Sequence, residues 1–247
     1  MEDCAPLHKV DGAPLRQQAA HVSLSRMHPA ARENAYLCAV VVAAALVTGC
    51  ATRPIVAAAP PADVTTEAAD VRILGSSAAP VMIIEFTDLQ CPYCARFANT
   101  TWPRIRQDYV ETGKVRYATR DLPLPFHAFA LPAAIAVRCA GQQGKFWEFR
   151  EALFRDQAQL ATGTYAGLVQ SLGLDAAQFA DCRRDPAVER LVQADVELAA
   201  ASGIRATPSF VIGRIVDGAF SGEILSGAQP FETFQARISL LLQQAGQ

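Results

Sequence analysis

The sequence predicts an α/β domain whose strands are interrupted by a block of helices. A β-branched apolar run, Val81 to Thr87, reads as a buried strand and feeds directly into a helix opening at Cys91-Pro92-Tyr93-Cys94. Residues 126–203 then carry helical spacing almost throughout, and two strands and a terminal helix follow from Ser209 to Gln244. The order is strand, helix, strand, helical block, two strands, helix. An apolar content of 51% is enough for a substantial core.

Residues 1–26 lack periodicity and are broken by Pro6, Gly12 and Pro14. After Met27 and Arg32, an apolar run of 13 residues, Ala35 to Val47, is too short to span a bilayer but fits the core of a signal peptide; an uncleaved anchor or a buried helix is the alternative. Residues 51–70, rich in Ala, Pro and Thr, have too few large apolar groups for a core and read as a tether, about 20 residues at up to ~3.3 Å each. The leader and signal segment therefore occupy 1–49, the tether 50–70 and the folded domain 71–247.

Within that domain Val71 to Leu74 alternates as a short strand, with a turn at Gly75-Ser76-Ser77. The helix after Cys91 runs on to Val110, with Pro103 marking a kink or break. Lys114 to Arg120 is a second core strand, closed by Leu122-Pro123-Leu124-Pro125. The helical block, residues 123–203, holds helices over 128–140, 145–156, 165–172 and 175–182, then a long one opened by Pro186. The aromatic residues Phe146, Trp147, Phe149 and Phe154 read as core. Ser209 to Ile212 is a strand ending at Gly213; Ile215-Val216 pairs back on it, with Phe220 to Leu225 extending that arm. Phe234, Ile238, Leu241 and Leu242 share one face of the last helix.

The chemistry concentrates at Cys91 and Cys94. Their sulfurs lie three residues apart on a first helical turn, close enough to bridge. Pro92 suits the first helical position, where a missing N–H costs nothing. Cys91 sits where free N–H groups and the helix dipole favour a thiolate, and is expected to be the exposed, attacking thiol. A zinc site needs a second pair of ligands, but no second C-x-x-C and no H-x₃₋₅-H pair follows, so no metal is expected. Glu85, an acid in an apolar strand, is costly to bury unless it is useful; an edge-strand, solvated position is the alternative. His127, after the Leu122–Pro125 turn, reads as a solvated residue at a helix start rather than part of the active face. A net charge of −2 gives no reason to expect nucleic-acid binding.

Ala79-Pro80-Val81 to Phe86, Asp88-Leu89-Gln90-Cys91-Pro92-Tyr93-Cys94, Cys139-Ala140-Gly141 to Trp147, and Gly203-Ile204-Arg205-Ala206-Thr207-Pro208-Ser209-Phe210 together resemble the DsbA type of thiol:disulfide oxidoreductase, within the thioredoxin superfamily. The resemblance covers roughly residues 71 to 245. It implies a thioredoxin-like fold with a central mixed β-sheet and an inserted α-helical domain. It assigns the active site to Cys91, Cys94, Glu85, Thr207 and Pro208: Cys91 and Cys94 as the redox disulfide, Glu85 as the acid that exchanges protons with the second cysteine, and Thr207-Pro208 as a cis peptide facing the dithiol. No cofactor is implied.

Leu46-Val47-Thr48-Gly49-Cys50 resembles a bacterial lipobox, which implies cleavage before an acylated Cys50 and a domain tethered on the periplasmic side of a membrane. Of the seven cysteines, Cys4 and Cys38 would then leave with the leader. With Cys50 lipidated, Cys139 and Cys182 remain, either as a structural disulfide worth roughly 3–4.5 kcal/mol or as two small buried thiols. The implied partners are cysteine-containing secreted proteins, a membrane redox protein that resets the dithiol, and the membrane itself; a monomer is expected. Oxidation of substrates is the expected direction, with reduction or isomerisation by the same fold as the alternative. A copper or zinc carrier and a non-catalytic, lipid-anchored binding module are the readings from other classes; Pro208 and the lack of a third ligand count against the carrier.

Overall fold

The computed structural model describes residues 70–162, 165–216 and 219–246. Cys4, Cys38, Cys50, the leader and all but the last residue of the tether lie outside the described residues. No helix among the described residues is long and apolar enough to cross a membrane.

Five strands, β1 (Ile73–Leu74), β2 (Val81–Thr87), β3 (Val115–Asp121), β4 (Ser209–Val216) and β5 (Ala219–Ser226), form one sheet in the order β1-β3-β2-β4-β5. β2 lies at its centre, parallel to β3 from Val81↔Val115 to Thr87↔Asp121 and antiparallel to β4. A parallel neighbour requires a crossover. Here it consists of α1 (Pro92–Thr100), α2 (Trp102–Ile105) and a π-helical turn, Arg106–Val110. The kink expected at Pro103 is where α1 gives way to α2, since proline has no N–H to donate one turn back to Asn99.

Between β3 and β4 stand α3 (Ala130–Gln142), α4 (Phe146–Arg155), α5 (Ala158–Thr162), α6 (Tyr165–Ser171), α7 (Ala176–Arg184) and α8 (Pro186–Ala201); α9 (Phe231–Ala245) ends the chain. Asp175 and Asp185 cap α7 and α8 by accepting from the N–H groups of Gln178 and Ala187.

Both faces of β2 are covered, which is why its sequence is a continuous apolar run rather than an alternation. Val81 and Ile83 pack with Phe97, Trp102, Tyr117, Phe210 and Phe234 on one face, and Met82, Ile84 and Phe86 with Ala118, Ile204 and Phe220 on the other. Each such side chain contributes about 1.5–3 kcal/mol by leaving water. A separate core joins α1, through Cys91, Cys94, Ala95 and Ala98, to the helical block. Buried charges add a second seam: Arg138 on α3 pairs with Asp121 on β3 at 2.5 Å and also with Asp195 on α8, which accepts the Asp121 N–H at 2.9 Å and meets Arg72 at 3.1 Å.

Three details depart from the sequence expectations. The opening strand is confined to Ile73–Leu74, because Asp70 takes the Arg72 N–H and guanidinium and pulls that residue into a turn. Gly213 does not end a strand: β4 runs through it, opposite Gly222, and a Cβ on it would lie 1.9 Å from the Ser221 carbonyl oxygen. The glycine is there for close strand approach, so the hairpin arms are Ser209–Val216 and Ala219–Ser226. Finally, α5 is an extra turn of helix that no sequence signal announced.

Candidate active site

Cys91 is the N-cap of α1, with an extended backbone, and Pro92 occupies the first helical turn. The loop from β2 is closed by the Cys91 N–H, which donates to Asp88 O at 3.1 Å. Asp88 is itself buried and organises the loop: Oδ1 accepts from the Gln90 N–H at 2.7 Å, Oδ2 from the Leu124 N–H at 2.8 Å, and His127 Nδ1 lies 2.8 Å from the same Oδ2. His127 is therefore not the solvated helix-start residue expected from sequence; the carboxylate beneath it holds it against the dithiol loop. From the helical block, the Gln157 amide donates to Leu89 O at 2.7 Å and Cys91 O at 3.1 Å. Three segments thus converge to fix one cysteine.

Cys91 and Cys94 are free thiols here, and both are buried, at 4% and 0% exposure. The expectation of a plainly exposed Cys91 is corrected by what covers it. The Thr207–Pro208 peptide is cis, and the Cys91 thiol donates to Thr207 O at 3.5 Å. Thr207 Oγ1 is buried and has no hydrogen-bond partner of its own among the described residues, so its hydroxyl hydrogen is free to turn to a Cys91 thiolate.

The two thiols are pushed apart electrostatically. A hydrogen bond from Cys94 is the main cause lowering Cys91 from 9.0 to about 5; the Thr207 side chain and the Cys94 and Tyr93 N–H groups add to it, and burial opposes it. Cys94 is raised well above 9.0, chiefly by burial, then by its bond to Cys91 and by the charges of Cys91 and Glu85. The result is one ready nucleophile and leaving group beside one thiol that holds its proton.

Glu85 lies on central β2, completely buried, on the face of Ile83 and therefore diagonal to Tyr117. The Tyr117 hydroxyl donates to Glu85 Oε2 at 2.7 Å, and Arg150 Nη2 on α4 pairs with the same oxygen. Neither Tyr117 nor Arg150 belongs to a motif in the sequence. The available signal was a lone arginine on the apolar face of α4, between Phe149 and Leu153, a position arginine takes only when paired.

Cys139 on α3 and Cys182 on α7 are bonded to each other, with Cα atoms 5.7 Å apart. They join two helices of the inserted block, and Cys139 belongs to the same core as the dithiol. Among the described residues there is no cluster of His, Cys, Asp and Glu able to hold a metal.

A family profile described as "Thioredoxin" matches residues 67–238. The Na(+)/H(+) antiporter NhaA 1 of Salinispora arenicola is 34% identical over 158 residues, which is 63% of this chain and 24% of that protein. A Rickettsia felis protein provisionally named a protein-disulfide oxidoreductase is 27% identical over 162 residues, 63% of this chain and 58% of that protein. The chain thus spans about a quarter of the antiporter's length and less than two thirds of the rickettsial protein's. The crystal structure of Wolbachia pipientis alpha-DsbA1 superposes with a TM-score of 0.64 at 27% identity, covering 70% of this chain and 92% of that one. By the profile the chain belongs to the thioredoxin family, and the helical block set between β3 and β4 places it with that family's DsbA-type members.

Proposed function

We propose that the chain is a protein thiol:disulfide oxidoreductase working mainly as an oxidase, in which Cys91 and Cys94 form the exchanged disulfide. The lowering of Cys91 to about 5 beside a raised Cys94 is the observation that carries this reading. A substrate thiolate attacks Cys91; the Cys91–Cys94 bond breaks, a Cys91–substrate bond forms, and Cys94 leaves and takes a proton. A second substrate thiolate then attacks the substrate sulfur of the mixed disulfide and expels Cys91 as a thiolate. Two electrons pass from the substrate dithiol to the enzyme. Stabilising the Cys91 thiolate makes it the better leaving group and favours the reduced enzyme, which is the property of an oxidant. Thr207 and cis-Pro208 act by covering Cys91, and Glu85 by exchanging protons with Cys94.

Tyr93, two residues from Cys91, and Phe126, whose ring meets that of His127 edge-on, are 58% and 76% exposed and offer aromatic surface suited to apolar side chains of unfolded substrate chains. We further assign the domain to the periplasmic side of a membrane, held by an acylated Cys50. The 13-residue apolar run and Thr48-Gly49-Cys50 support this assignment.

Equilibrating the dithiol with glutathione buffers tests the direction. A potential well above the thioredoxin value of about −270 mV is expected; one at or below it makes the protein a reductase.

A further inference from the structure

Glu85 and Arg150 form an ion pair closed to solvent, their side chains 0% and 1% exposed. Each buried ion costs several kcal/mol before attraction repays it, and an apolar pair of similar volume is often at least as stable. Packing alone therefore does not account for this pair beneath the dithiol. Nor is it saturated. Oε2 takes both the Tyr117 hydroxyl and Arg150 Nη2, while Oε1 is buried with no hydrogen-bond partner among the described residues. Arg150 also lies against two aromatic rings, its guanidinium 5.4 Å from the centre of Trp147 and 4.8 Å from that of Phe154.

The titratable groups acting on this site come from three elements: Arg150 from α4, Tyr117 from β3, and Cys94, with Cys91 beyond it, from α1. β4 sets Phe210 opposite Glu85 in register. Of these groups, only Cys94 must lose and regain a proton through the exchange cycle, and the Glu85 charge is one of the weaker influences that raise it.

We propose that Arg150 is a positioning residue for the exchange reaction, supplied by the inserted helical block, which holds Glu85 by Oε2 and so leaves its other oxygen, Oε1, to receive the Cys94 proton. This rests on the oxidoreductase reading. In the resolving step Cys94 gives its proton to Glu85 and its sulfur attacks Cys91. The Cys91–substrate bond breaks, the Cys91–Cys94 bond forms, and the substrate leaves as a thiolate that takes a proton. In this step the Cys94 sulfur is oxidised by one formal electron and the leaving substrate sulfur is reduced by one, Cys91 staying at the disulfide level throughout. The opposite step runs the same path backwards. Without Arg150 the buried Glu85 carboxylate loses both its countercharge and the group that holds Oε2, and it accepts the Cys94 proton less readily.

The test uses a mixed disulfide of glutathione with Cys91 in the full chain, following glutathione release against pH. For Arg150→Met the midpoint of the profile should move up by about one unit or more, so that release at pH 6 slows about tenfold. Arg150→Lys, which returns the charge, should recover most of that rate. Attack on the same mixed disulfide by added glutathione, measured in a Cys94→Ser background, needs no Cys94 proton and should change little. A wild-type profile in Arg150→Met, or equal slowing of both reactions, overturns the proposal. Should Arg150→Met not fold, the double variant Glu85→Gln/Arg150→Met removes both buried charges together. It should release glutathione slowly without the wild-type midpoint, and retention of that midpoint overturns the proposal equally. If the wild-type chain releases no glutathione, the oxidoreductase reading fails instead.

Discussion

Changing pH across the Cys91 titration should alter the stability of the reduced protein and leave that of the oxidised protein nearly untouched. Cys91 falls from 9.0 to about 5 on folding, so its thiolate is the form that the fold favours. A group depressed in this way contributes its full stability above its unfolded value and loses it as pH falls through the folded value. The complete shift corresponds to about 5.4 kcal/mol, of which about 2.7 kcal/mol is expressed at pH 7. Between pH 5 and pH 8 the contribution grows by about 3.6 kcal/mol. The oxidised protein has no Cys91 proton to lose, so the reduced-minus-oxidised difference isolates the effect. It also makes the disulfide more oxidising at pH 7 by roughly 60 mV than an unperturbed thiol would allow. Urea unfolding of both forms at a series of pH values, with a phosphine as reductant, measures the difference. Thiolate absorbance near 240 nm, with Cys91→Ser as blank, gives the midpoint independently. A difference that is flat with pH, or a midpoint at or above 8, would refute both the electrostatic account and the oxidase reading built on it.

Thr207→Val removes the hydroxyl that can turn to the thiolate; the Cys91 midpoint should rise by about one unit, ~1.4 kcal/mol, by the same absorbance titration. Cys91→Ser should abolish exchange, whereas Cys94→Ser should accumulate mixed disulfides with substrate on non-reducing gels; adducts through Cys94 in Cys91→Ser would reverse the roles. Replacing both Cys139 and Cys182 by Ala opens a loop of 43-residue separation and should cost about 4 kcal/mol in chemical unfolding of the chain. Mass spectrometry of the mature protein should find its first residue at an acylated Cys50, and an unmodified Cys50 would remove the lipoprotein reading.

The legible parts of this structure are those written in local signals. The β2 run, Pro92 at a helix start, Asp175 and Pro186 at helix starts and the apolar spacing of α9 each reflect constraints within a few residues. The dithiol was legible because its two cysteines are neighbours in sequence, and Thr207-Pro208 because the motif around it resembles a known family. What escaped depends on long-range meetings. Gly213 looks like a turn signal until Ser221 and Gly222 are seen against it. His127 looks solvated until Asp88, 39 residues earlier, is placed under it. Arg150 shows only as an arginine on the apolar face of α4, and its partner, Glu85, lies 65 residues away and is visible only in the fold. Charge pairing across such distances leaves no periodic trace in the sequence.

Thr207 stands 116 residues beyond Cys91, and Gln157 stands 66 beyond it. Along the chain, the reactive sulfur is therefore specified early and roofed late. In any partly folded state where α1 has formed but β4 has not yet docked, Cys91 already has its helix-start N–H groups and its neighbour Cys94, and no lid. Such a state is more open to thiols than the finished protein, and the only other described cysteines within reach are Cys139 and Cys182. Wrong pairings, where they arise, should therefore join the first cysteine pair to the second, and docking of the Thr207–Pro208 segment is the event that ends the opportunity.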